Sequence, residues 1–218
     1  MKRNCRIFFL LSLLLLFSIP LMAGDGSASI AVGFGTNHNS ASGRGVDTDT
    51  GYECDLGSSD TCIAQPGLSN FFFGFSGDGM PWGNAGFGFQ AITLPTKADF
   101  GPMKLRQTFY DFNGIYAPIR SSDATLKLMA GIGGSKTSFT LDVTSCYAGG
   151  ACVRNTYDLG STNHFQFHAG VGLEINLTPI FFLRPQYDFR YVPNFTEQFG
   201  RNTVHGGMVW VGLKTAGR

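Results

Sequence analysis

Residues 180–192 read IFFLRPQYDFRYV, and their alternation decides the fold. Phe181, Leu183, Pro185, Tyr187, Phe189 and Tyr191 share one parity, while Arg184, Gln186, Asp188 and Arg190 share the other. Successive side chains of an extended chain point to opposite faces. A period of two therefore reads as a β-strand with one aromatic face and one charged face. Either face could be the inner one: a soluble sheet hides its apolar side, whereas a sheet in lipid turns it outward. Recurrence of the pattern, and what precedes it, bear on the choice.

The pattern recurs. Ala28, Ile30, Val32 and Phe34 share a face near 27–36, and Phe71, Phe73 and Phe75 do so near 68–76. Near 83–92, Ala85, Phe87, Phe89 and Ala91 oppose Asn84, Gly86, Gly88 and Gln90. Near 105–117, Tyr110, Phe112 and Tyr116 oppose Gln107, Asp111 and Asn113, and Phe109 breaks the alternation. Near 123–137, Ala124 to Ile132 alternate with Thr125, Lys127, Met129, Gly131 and Gly133. Near 162–176, Phe165, Phe167, Val171, Leu173 and Ile175 oppose His164, Gln166, His168 and Glu174. The eighth segment, near 204–215, sets Val209, Val211 and Leu213 against Gly206, Met208, Gly212 and Lys214, with Trp210 on the second face.

The connections alternate in length. Short turns are expected at Gly77-to-Trp82, Pro118-to-Ser122 and Leu177–Pro179, and longer polar segments join the other pairs. An even strand number with long loops on one rim and short turns on the other is the layout of a transmembrane β-barrel. Closure follows from solvation, because an unpaired backbone group in hydrocarbon costs several kcal/mol and an open sheet edge is excluded. Eight strands leave an interior just wide enough for side chains. Trp82, Tyr116, Tyr187 and Tyr191 suit the interfacial girdles.

Residues 1–23 carry Lys2, Arg3 and Arg6, then an apolar run, then Leu21-Met22-Ala23. This is the pattern of a secretory signal peptide, expected to be removed and to leave a barrel domain over 24–218. The apolar run is shorter than the ~20 residues of a spanning helix. Cys5 leaves with the leader, so Cys54, Cys62, Cys146 and Cys152 remain. An even count behind an export signal predicts disulfides. Of three connectivities, the local pairs Cys54–Cys62 and Cys146–Cys152 are favoured. A net charge of +1 offers no electrostatic footprint for nucleic acid.

His164-to-Ile175, Phe181-to-Tyr191 and Met208-to-Lys214 carry a resemblance to the small eight-stranded outer-membrane barrels, the OmpA-type transmembrane domain and OmpX-like proteins. The resemblance spans essentially the whole mature chain. It implies insertion in a Gram-negative outer membrane, loops facing outside, contact with outer-membrane lipid and lipopolysaccharide, and delivery by the barrel assembly machinery. It brings no catalytic motif and no cofactor. The sequence departs from the family in ending Lys214-Thr-Ala-Gly-Arg218 without a terminal aromatic, and no peptidoglycan-binding segment follows the barrel.

The candidate site is the charged face: Asp111, Lys127, His168, Glu174, Arg184, Gln186, Asp188 and Arg190. Inside a barrel these would form a polar network, because buried charges must be paired. A three-residue turn at 177–179 sets His168 opposite Asp188 and Gln166 opposite Arg190, with Glu174 diagonal to Arg184. The alternative is a narrow solute path, disfavoured by the small bore. His164 and His168 are about 13 Å apart along one strand, too far to share a metal. His205 has outward parity, where a lipid-modifying enzyme would place a catalytic histidine, but Gly206-Gly207 follow instead of His-x-Ser. Asp47-Thr-Asp49-Thr-Gly51 resembles a calcium loop with its glycine one place early and its distal glutamate missing. Three functions stay open: a non-catalytic surface barrel with disulfide-braced loops and an extracellular ligand, an outer-membrane lipid-modifying enzyme, and a soluble lipocalin-like carrier with its phenylalanines inside.

Overall fold

The computed structural model describes residues 26–39, 44–47, 49, 53–55, 59–64, 69–95, 98–100, 103–146, 152–195 and 201–215. The expected leader at 1–23 lies outside the described residues. In chain order the strands are β1 (Ser27–Asn39), β2 (Arg44–Asp47), β3 (Glu53–Asp55), β4 (Cys62–Ala64), β5 (Ser69–Trp82) and β6 (Ala85–Thr93). They continue as β7 (Ala98–Phe100), β8 (Met103–Arg120), β9 (Ala124–Cys146), β10 (Cys152–Asn176), β11 (Phe181–Tyr191) and β12 (Thr203–Lys214).

The main sheet runs β6-β5-β1-β12-β11-β10-β9-β8-β7, and an added β6–β8 pairing closes it. Eight strands therefore make a closed antiparallel barrel, with β7 hanging on the outer part of β8. The strands β2, β3 and β4 form a separate small sheet in the first long connection. Closure leaves no barrel edge unpaired within the apolar belt, as hydrocarbon requires.

Alternation holds around the wall. Phe34, Phe71, Phe73, Phe75, Phe112, Phe165, Phe167, Tyr187 and Phe189 are exposed outside, while Arg184, Arg190, Asp111 and Asp188 are buried inside at no more than 1% exposure. A soluble carrier needs the reverse, so the lipocalin-like alternative is overturned by the direction in which the phenylalanines point. Trp82 and Tyr116 sit toward the short-turn rim, and Tyr191 toward the other, all exposed.

Several boundaries move. The β5–β6 turn lies at Gly83-Asn84, not at 77–82, and Gly83 takes a φ of 65° that favours a residue without Cβ. The β8–β9 turn occupies 121–123, where Ser121 N–H donates to Ala124 O at 2.8 Å. The β10–β11 turn spans 177–180, and Thr178 Oγ1 accepts from the Phe181 N–H at 2.9 Å. Leu177 N–H donates to Phe181 O at 3.0 Å, so the hairpin closes around 178–180 instead of 177–179, and that one-residue displacement of its centre shifts the pairing by two. His168 stands opposite Arg190, and Gly170 opposite Asp188. A shift of two preserves every inside and outside assignment, whereas a shift of one would reverse them all.

The β9–β10 connection is mostly ladder, not loop. Pairing runs on from Lys136↔Asn163 to Cys146↔Cys152, with a bulge between Asp158 and Ser161. Ten further steps make about 34 Å of hairpin along the strand direction beyond the belt.

Two residues that interrupt the aromatic pattern are interior parts. Phe109 and Trp210 are both fully buried in the lumen, so Phe109 keeps the alternation and faces inward with Asp111. Trp210 fits because its neighbours across β1 and β5 are Gly33 and Gly74, where an added Cβ would collide with the indole. Gly33→Val is expected to displace Trp210 and lower barrel stability by about 1–3 kcal/mol, the usual cost of overpacking, read from the urea midpoint in detergent micelles.

Candidate functional site

The lumen is layered. At the outer mouth Leu94, Leu105, Val192, Phe195 and Val204 are buried together, and the Val192–Phe195 turn folds over the end of the barrel. Asn194 carries this turn at φ 62°, and Phe195 meets the His164 ring edge-on at 5.6 Å between centroids.

Below this cap lies the first charged layer. Arg190 Nη2 and Nε donate to Asp111 Oδ2 at 3.0 and 3.2 Å. The same carboxylate accepts from Gln90 Nε2 at 3.1 Å and from Gln166 Nε2 at 2.5 Å. The Arg190 guanidinium rests 5.1 Å from the centre of the Phe109 ring. His168 bridges two oxygens: Nδ1 is 2.7 Å from Asn113 Oδ1, and Nε2 is 2.8 Å from Asp188 Oδ1. Arg190 Nη2 also lies 3.8 Å from Asp188 Oδ2, so Asp111 and Asp188 share one guanidinium. Gln186 Nε2 adds bonds to Asp188 Oδ1 at 2.7 Å and to Gln90 Oε1 at 2.9 Å.

The second layer centres on Asp78. Its Oδ2 accepts from Arg184 Nη1, from Lys127 Nζ at 3.1 Å and from Ser29 Oγ at 3.4 Å. Lys127 Nζ also meets Glu174 Oε2 at 2.6 Å, and Lys214 Nζ meets Glu174 Oε1 at 3.1 Å. Arg184 donates through Nη2 to Ser76 Oγ at 2.9 Å and lies 5.6 Å from the Trp210 ring and 5.9 Å from the Phe182 ring. Each arginine thus has a carboxylate at its edge and an aromatic face against its plane, which replaces water on both kinds of surface. The column ends toward the short turns in a vestibule lined by Ser29, Asp78, Arg120, Lys127, Glu174 and Lys214.

All eight residues expected on the polar network lie inside the barrel in these two layers. Gln186, His168, Asp188, Arg190 and Asp111 form the first. Lys127, Glu174 and Arg184 belong to the second, where Glu174 bonds two lysines and Arg184 bonds Asp78. Asp78 is the carboxylate of the network that lies outside those eight, because Gly77 and Gly79 around it read as a turn. Its even parity with Ser76, against Phe71, Phe73 and Phe75, was the available signal.

Outside the belt, Cys54 and Cys62 form a disulfide with Cα atoms 6.0 Å apart. Cys152 is also disulfide-bonded and faces Cys146 across the ladder; the Cys146 side chain lies outside the described residues. Asp47 of the acidic loop accepts from Thr61 Oγ1 at 2.9 Å and from the Asp49 N–H at 2.9 Å. Gly51 lies outside the described residues. On the long hairpin, Asp142 gathers Lys104 Nζ at 2.7 Å, Thr156 Oγ1 at 2.6 Å and Arg154 Nη2, joining β8, β9 and β10. The hydrogen bonds from Lys104, Thr156 and Arg154 hold the Asp142 carboxyl well below the usual carboxylate range. His205 faces outward, as its parity implied, with Nδ1 2.6 Å from Tyr187 Oη.

No protein-family model matches the chain, and no curated protein matches it in sequence. Solved structures do match. Ail, the attachment invasion locus protein of Yersinia pestis, aligns over 87% of this chain and 99% of its own at 12% identity, with a TM-score of 0.51. Ail in complex with the heparin analogue sucrose octasulfate aligns over the same shares at 14% identity and a TM-score of 0.51. Neisserial surface protein A aligns over 88% of this chain and 97% of its own at 12% identity, with a TM-score of 0.48. The structural neighbours are small eight-stranded outer-membrane β-barrels, and the likeness at these identities is one of fold.

Asp111→Ala would leave the Arg190 charge buried without its carboxylate. Stability is expected to fall by about 3–5 kcal/mol, with most of the loss recovered in Asp111→Ala/Arg190→Met, both read by urea unfolding. The Asp142 clamp has the sign of a depressed carboxyl: its contribution is complete above the ordinary carboxylate range and is lost only as pH falls through the lowered value. Asp142→Asn should therefore speed amide exchange of the hairpin at pH 7, and the difference from the parent should vanish in strong acid.

Proposed function

We propose that this chain is an exported outer-membrane barrel with a structural, surface-presenting role, and that it neither conducts nor catalyses. The observation that supports the reading is the pairing inside the lumen. Asp78, Asp111, Glu174 and Asp188 each meet a cation or His168 within the barrel, and apolar side chains close the outer mouth. A column whose charges are spent on one another offers a passing ion no uncompensated charge to bind.

What remains for function is outside the belt. The Cys54–Cys62 loop and the long β9–β10 hairpin are the parts built to be presented, and an extracellular ligand or surface is their expected partner. A disulfide closing a loop of this size contributes about 2–3 kcal/mol in the chain-entropy model, which limits local opening and so protects loop tips from proteases. In this reading the leader at 1–23 is cleaved on export, the barrel assembly machinery inserts the chain, and lipid and lipopolysaccharide surround the Phe-rich wall.

Two measurements test this. The detergent-extracted protein should come from the outer-membrane fraction and shift its gel mobility on boiling. In planar bilayers it should give no conductance steps. Regular steps that disappear in Asp111→Ala would show that the lumen is a path and overturn the plugged reading.

A further inference from the structure

On the outward wall at the outer rim, two histidines stand directly opposite each other. His38 on β1 and His205 on β12 are register partners across the antiparallel ladder. Directly opposed residues have Cβ atoms about 4.5–5.5 Å apart, and both side chains leave the sheet on the same face. His38 is exposed and His205 half-buried. Neither takes part in the lumen network, and each lies within three residues of its strand's outer end.

The surroundings of His205 fix its ring. Phe189, its register partner on β11, packs edge-on at 5.2 Å between centroids. Tyr187 Oη holds Nδ1 at 2.6 Å. When Nδ1–H donates to the phenol oxygen, the lone pair of Nε2 is free. A histidine that ligates a metal almost always has its other ring nitrogen held in this way, which sets both tautomer and orientation.

We propose that His38 and His205 form a surface site for a divalent transition-metal ion of the zinc or nickel class. Two imidazole nitrogens from adjacent strands are the ligands, and Tyr187 is the positioning residue that orients His205. Imidazole suits these borderline ions, whereas magnesium and calcium prefer oxygen donors. The remaining coordination positions face outward, toward water and the oxygens of lipid headgroups. This differs from a hydrolytic role for His205, because the Tyr187 contact organises a ligand and needs no serine. Metal and proton compete for the same lone pair, so occupancy falls on acidification.

The test is calorimetric titration of zinc chloride, and separately of magnesium chloride, into the tag-free full chain in detergent micelles at pH 7.5. One zinc per chain is expected and no magnesium. His38→Ala and His205→Ala should each abolish the zinc isotherm, and Tyr187→Phe should weaken it by about 10-fold or more. His164→Ala, on the lumen side, should bind as the parent does. A retained gel shift on boiling shows that each variant is folded, so a lost isotherm reports the site. Absence of zinc binding by the parent up to millimolar concentration, or unchanged binding in either single-histidine variant, would overturn the assignment.

Discussion

Every backbone N–H and C=O that faces hydrocarbon must be hydrogen-bonded within the sheet. The β6–β8 pairing meets that demand by joining the two ends of the wall. Once the wall is closed, each strand has a face that lipid sees and a face that it does not, and side chains have no third direction. The aromatic wall and the charged interior both descend from this closure. It also explains the placement of extended but unclosed structure, the small β2–β3–β4 sheet and the long hairpin, beyond the belt where water is available.

The interior then faces its own problem, since charges buried in a confined space cost several kcal/mol each unless paired. The chain solves it twice with the same parts: a carboxylate, an arginine in its fork, and an aromatic ring against the guanidinium plane. Asp111, Arg190 and Phe109 make the first unit, and Asp78, Arg184 and Trp210 make the second. Gly33 and Gly74 belong to the second unit as much as Trp210 does, because the indole occupies the volume that their missing side chains leave.

Parity was legible in the sequence and register was not. The stretch 180–192 showed which residues face each way, and that reading survives any even slip. The partner of His168 depends on where the turn within 177–180 is centred, and alternation does not encode that. Phe109 and Trp210 looked like interruptions because hydrophobicity was taken to mean lipid. Their role as plates beneath arginines follows only once neighbouring strands are placed. Asp78 was hidden by the glycines around it, Gly77 and Gly79, which read as a turn although the strand runs through them to Trp82. The His38–His205 opposition needed the closing β1–β12 register, a contact between residues at opposite ends of the chain.

The long hairpin has a mechanical consequence. A two-stranded ribbon is stiff along its length and compliant across its thin direction. Its root is gripped by β8, through Met103↔Leu141 and the Asp142 clamp, while its far end past Leu141 has no third strand among the described residues. The ribbon therefore behaves as a mast with a stayed base. Thermal bending concentrates above the stay, and the tip sweeps an arc while the root keeps the heading of the barrel wall. The height at which the tip works is thus set by covalent geometry and ladder count, independent of how the surrounding lipid is packed.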